Sequence, residues 1–167
     1  MSAPPSLVLV FEGEGEREAL PILVTRIAAS LDPPLYPKIV GLYRKGRAEL
    51  AQPQRLADTV RLCVSQQGKD VRVLVLFDAD GDCPATLGPQ LQAYAREARP
   101  DVPCAVVIAN KEYETWFLYA APSLRGWTDK ESGRSIPDDF ATPPNAEDIR
   151  GAKERIVKAV DLSLIHI

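Results

Sequence analysis

Residues 71–83 read VRVLVLFDADGDC, an apolar run that breaks into three aspartates spaced two apart. Val71 to Phe77 is rich in valine and too short for an ordinary helix, which predicts a strand buried on both faces. The same reading applies to Leu7 to Phe11 and to Cys104 to Ala109. Lys38 to Tyr43 reads as a shorter, more exposed strand.

Helical patterns separate these strands. Glu16 to Ser30 carries Leu20, Leu23, Val24, Ile27 and Leu31 at helical spacing, and Asp32, Pro33 and Pro34 stop it. Pro53 opens a second helix with Leu56, Val60, Cys63 and Val64, ended near Gly68. Pro84 to Ala98 forms a third, with Leu87, Leu91 and Tyr94. Glu112 to Ala120 is expected to be helical, with Tyr113, Trp116, Phe117 and Ala120 on one face. Strands alternating with helices predict an α/β fold, a mostly parallel sheet with helices on both faces. Gly126 to Pro144 reads as a polar loop, after a domain spanning residues 1–125. Asn145 is expected to cap a last helix, with Ile149, Ala152, Ile156, Val157 and Val160 as its stripe. The end of segment 145–167, after Val160, reads as truncated or foreign.

The totals narrow the chemistry. A chain of 167 residues with 46% hydrophobic and 26% charged residues is ordinary for a soluble domain, and needs no disulfides to fold. A net charge of −3 gives no global pull toward nucleic acid. No apolar run is long enough to span a bilayer and no signal peptide opens the chain, so a cytoplasmic protein is expected. Cys63, Cys83 and Cys104 show no CxxC spacing. The single histidine, His166, sits beside the last residue, a poor place for a catalytic imidazole. Carboxylates, lysines or a metal must therefore carry any chemistry.

In open α/β sheets, ligands bind beyond the carboxyl ends of the strands. Glu12 ends the first strand; Asp78, Asp80 and Asp82 follow the third; Asn110, Glu112 and Glu114 follow the fourth. If the first and third strands are neighbours, Glu12 and Asp78 come within reach of one ion. Clustered carboxylates repel unless a cation neutralises them, and carboxylates without histidine suit Mg²⁺ or Mn²⁺ rather than zinc. Glu14 and Glu18 read as charge favoured at a helix start, while Glu16 stands between that role and ligation. Asp82 is equally open between turn and ligand. EGEGE lacks the Walker lysine, and DADGD has Cys83 and Pro89 where a calcium loop needs glycine and glutamate. Arg44, Lys45 and Arg47 form the compact basic cluster, either a nucleic-acid patch or a solvated turn. Trp116 and Phe117 read as core in preference to a base-stacking platform.

FEGEGEREALP after one strand and LVLFDADGD after another resemble the Toprim domain of topoisomerases, primases and OLD-type nucleases. The fuller resemblance, over roughly Leu7 to Gly126, is to small stand-alone Toprim-like proteins of domain-of-unknown-function family 4276. It adds RKGRAEL and ANKEYETWFL to the two acidic segments. The resemblance implies a Toprim-like, Rossmann-like fold with Mg²⁺ or Mn²⁺ held by Glu12, Asp78 and Asp80, which would also be the catalytic residues. Glu16 matches the second acid of the OLD-like pattern, and Glu112 and Glu114 would support a second ion. It further implies phosphodiester hydrolysis, a nucleic-acid substrate (DNA rather than RNA), prokaryotic defence, and an ATPase partner. Two other functions are open: a haloacid-dehalogenase-like phosphatase with Asp78 as nucleophile and Asp80 as acid/base, and a partner-binding subunit without catalysis.

Overall fold

The computed structural model describes residues 4–129 and 133–162. His166 and most of the apolar tail lie outside them. The chain divides into two compact units, Met1–Asp78 with Cys83–Ile108, and Ala79–Asp82 with Ala109–Ile167. Each is described by itself.

The first unit is the sheet with its covering helices. Its elements are β1 (Ser6–Phe11), α1 (Glu14–Ala29), β2 (Lys38–Arg44), α2 (Arg47–Leu50), α3 (Pro53–Gln67), β3 (Val71–Asp78), α4 (Pro84–Ala98) and β4 (Cys104–Ala109). The sheet is parallel and four-stranded in the order β2-β1-β3-β4, and the two central strands are the most buried. Phe11 pairs with both Arg44 and Leu76, and this register fixes which residues leave the sheet side by side.

Strand alternation splits the core between the two faces of the sheet. Val8 and Val10 of β1 with Val73, Val75 and Phe77 of β3 pack against Leu56, Val60, Cys63 and Val64 of α3 and Leu91 and Ala95 of α4. Leu9, Phe11 and Leu76, which alternation sends to the other face, are equally buried. There α1 contacts β1 and β2, and the Arg17 guanidinium stands 5.8 Å over the Phe11 ring. The outer strands are less enclosed than the central pair. On β2 no residue is fully buried, in keeping with the more exposed strand read from its sequence, but β4 also leaves Ala105 and Val107 exposed, where a fully buried strand was expected. A strand at the sheet's edge has one neighbour, and its side chains find less cover.

Pro53 and Pro84 stand at the first helical positions of α3 and α4, where a missing N–H costs nothing. The stripe read on α1 is only partly used. Leu20 and Ala28 are buried, whereas Ile27 and Leu31 are exposed.

The second unit contains α5 (Thr115–Tyr119), α6 (Ala121–Leu124), a 3₁₀ turn at Ala146–Asp148 and α7 (Ala152–Leu162). Its core joins Leu118, Ala146 and Ala152, flanked by Phe140, Ile149 and Ile156. Two sequence expectations are corrected here. The helix expected from Glu112 begins only at Thr115, because Lys111 takes a left-handed φ of 59° and Asn110 to Glu112 make a turn. Asn145 caps no long helix: it is left-handed itself, with φ 51°, and precedes the 3₁₀ turn, while α7 starts after Gly151. Tyr113 packs edge-on against Trp116 and Phe117, each pair of rings 5.3 Å apart. Among the described residues, no helix is long and apolar enough to cross a membrane.

Candidate functional site

Glu12 is the first residue beyond β1, at a bend where the strand's pairing stops. Because Phe11 is level with Leu76, Glu12 follows on level with Phe77, one residue before Asp78. Adjacent strands lie about 4.8 Å apart, so the backbones of Glu12 and Asp78 leave the same edge as near neighbours. Glu12 is half-buried and its Oε2 is shut off from solvent. Both strand ends are clamped by arginines. The Arg44 Nε donates to the Glu12 carbonyl at 3.1 Å, and the Arg47 Nε donates to the Asp78 carbonyl at 3.2 Å. The backbone N–H of Lys45 donates to the Phe11 carbonyl at 2.9 Å, which carries the β1–β2 ladder one step beyond the strand.

The turn after Glu12 is built around a glycine for a steric reason. Glu16, 9% exposed, folds back so that its Oε1 accepts the Gly13 N–H at 3.1 Å, half of a capping box at the start of α1. A Cβ at Gly13 would overlap the Glu16 carboxylate. Glu14 is exposed and pairs with two arginines. Its Oε1 accepts from Arg17 Nε at 2.6 Å, and its Oε2 lies 3.4 Å from an Arg44 terminal nitrogen. Glu12, Arg17, Arg44, Lys45, Gly46 and Glu49 line a groove of about 400 Å³ at this edge. Lys45 Nζ lies 3.3 Å from Glu49.

Contacts distant in the chain, by contrast, put the remaining predicted acids in the second unit. Asp80 is exposed, has a left-handed φ of 52° and donates its N–H to the Lys111 carbonyl at 3.0 Å. Asp82 is exposed and closes a turn on the Ala79 carbonyl at 2.9 Å. Glu112 holds the start of α7. Its two oxygens accept the N–H groups of Gly151 and Ala152 at 2.6 and 2.7 Å, which satisfies donors that have no partner within the helix. Glu114 stands half-buried just before α5. Asn110 and Lys111 reach Glu147 and Asp148 of the 3₁₀ turn.

Among the described residues, no group of three His, Cys, Asp or Glu side chains is gathered to hold a metal ion. A site of Mg²⁺ type does not require three. It is held by one or two carboxylates, the remaining positions being filled by water and substrate phosphate. Glu12 and Asp78 are carboxylates, hard oxygen donors by type, at the ends of neighbouring strands in one unit. The buried thiols do not contribute: burial pushes Cys63 up to about 12 and Cys104 up to about 11. Cys83 is exposed, and the Thr86 hydroxyl beside it lowers its pKa.

Sequence reasoning took Arg44, Lys45 and Arg47 as the basic cluster. Arg44 and Lys45 do line the groove, Arg47 is turned to the Asp78 carbonyl, and Arg17 of α1 lines it as well. The Glu14–Arg17 spacing of three is visible in the sequence, but the approach of Arg44 follows only from the β1–β2 pairing.

The family described as Domain of unknown function (DUF4276) matches residues 11–162, and the chain belongs to it. No curated protein matches the chain. Among solved structures, a sigma-54 interaction domain protein from Enterococcus faecalis is similar at 12% identity and a TM-score of 0.34, over 98% of this chain and 93% of that one. A likeness that distant carries no functional weight.

Proposed function

We propose that this chain is a Toprim-type, Mg²⁺- or Mn²⁺-dependent phosphodiester-processing protein that acts on nucleic acid, DNA in preference to RNA. One observation supports it above the others: β1 and β3 are adjacent parallel strands, so the chain leaves the same sheet edge at Glu12 and, one residue beyond its level, at Asp78. Without that adjacency, the two motifs would be unrelated turns.

In this reading Glu12 and Asp78 hold the ion, and the sequence adds Asp80 as the second acid of its DxD. Glu16, Asp82, Glu112 and Glu114 stay as lesser candidates from the sequence pattern. A bound Mg²⁺ would polarise a phosphate oxygen and lower the pKa of its water. Arg44 and Lys45 orient the phosphodiester, while Glu12 is placed for proton transfer. The arginine bonds to the Glu12 and Asp78 carbonyls keep both strand ends in position. An ATPase partner, a defence role and a cytoplasmic setting complete the proposal on the strength of the resemblance.

The test is nicking of supercoiled plasmid with Mg²⁺ or Mn²⁺. Wild-type protein should nick, and Glu12→Gln or Asp78→Asn should lose roughly two to three orders of magnitude, the scale of removing an electrostatic or acid/base group. Undiminished nicking by the double variant would rule the site out.

A further inference from the structure

We infer that Glu14 occupies the phosphate seat of the groove beside Glu12, an internal anion that a nucleic-acid backbone displaces. The inference rests on the nucleic-acid reading above and adds a residue that neither the sequence pattern nor the metal site requires.

Three cations line this groove together with Glu12 and Glu49: Arg17 from α1, Arg44 from the end of β2, and Lys45 just after it, which is paired with Glu49. Two of them share one carboxylate, since Glu14 lies 2.6 Å from Arg17 and 3.4 Å from Arg44 through different oxygens. A carboxylate bridging two guanidiniums makes the contacts that two non-bridging phosphate oxygens would make. The arrangement is easily exchanged. The side chains of Glu14, Arg17 and Arg44 are 63%, 45% and 54% exposed, and ion pairs so open to water contribute little.

Both arginines have other anchors. Arg44 is tied to the Glu12 carbonyl at 3.1 Å, and Arg17 lies over the buried Phe11 ring. They keep their place when Glu14 lets go. Glu14 thus lowers the affinity of a site that is already shaped for an anion. A competing role exists for it at the start of α1, where negative charge favours the helix. That role predicts a change in stability and none in binding.

The experiment is fluorescence anisotropy of a labelled short DNA duplex, in EDTA and over a series of salt concentrations. Glu14→Gln is expected to tighten binding about fivefold at low salt, the scale of one exposed charge pair. Arg17→Gln and Arg44→Gln are each expected to weaken binding and to reduce the salt slope by about 1. The gain from Glu14→Gln should disappear in the Arg17→Gln/Arg44→Gln background. Unchanged or weaker binding by Glu14→Gln overturns the inference, as does a gain that survives loss of both arginines, or no duplex binding by any form. Duplex binding that Glu14→Gln does not tighten sinks this inference alone, whereas no duplex binding by any form sinks the nucleic-acid reading with it.

Discussion

Gly13 is needed for what its missing side chain allows. Its φ of −93° is open to any residue, so the constraint is the Glu16 carboxylate folded against it. Gly13→Ala should displace that carboxylate and cost about 1 kcal/mol, the worth of a helix cap, or roughly 2–4 °C in Tm at this chain length. An unchanged melting curve would show that the cap contributes nothing. The cysteines give a second check at the same scale. Cys83 is exposed and its thiol is lowered by the Thr86 hydroxyl, while burial holds Cys63 and Cys104 far above neutral pH. Iodoacetamide near pH 8 should label Cys83 in the folded protein and reach the other two only after denaturation. Rapid native labelling of Cys63 would contradict the packing of α3. Both outcomes depend on neighbours that no single residue type reveals.

Elements show where a sequence speaks for its own structure and where it does not. Val71–Asp78 was legible as a strand because apolar runs of that length have few alternatives, and Pro53 and Pro84 marked helix starts by their chemistry. The start of α7 was hidden. Its first N–H groups are satisfied by Glu112, about 40 residues earlier in the chain, so no local cap could announce it. Asn145 looked like that cap and serves a short 3₁₀ turn instead. Glu112→Gln keeps the shape but puts an amide NH₂, which cannot accept, in place of one of the two accepting oxygens, so one hydrogen bond is lost and the other gives up its charge. It should cost about 1–3 kcal/mol, the range for leaving a donor without its acceptor, and speed hydrogen exchange at Gly151 or Ala152. Exchange that stays at the wild-type rate would mean that α7 begins without this carboxylate.

At the scale of the molecule, the site was legible as chemistry before it was legible as geometry. Glu12 and the FDADGD segment could be paired only on the condition that β1 and β3 adjoin, and the order β2-β1-β3-β4 meets that condition. What no pattern could show was the boundary between Asp78 and Ala79, which assigns the acids to two units, or the arrival of Arg17 in the groove. Both depend on long-range pairing. The arrangement also makes the proposed metal site testable without catalysis. A cation that binds at the ends of β1 and β3 binds the native chain alone. At ten times its Kd, Mg²⁺ should stabilise the protein by about 1.4 kcal/mol, raising Tm by roughly 3–6 °C. Glu12→Gln with Asp78→Asn should remove that rise. A metal-independent Tm in the wild type would refute the site, and a rise that survives both substitutions would move it elsewhere in the chain.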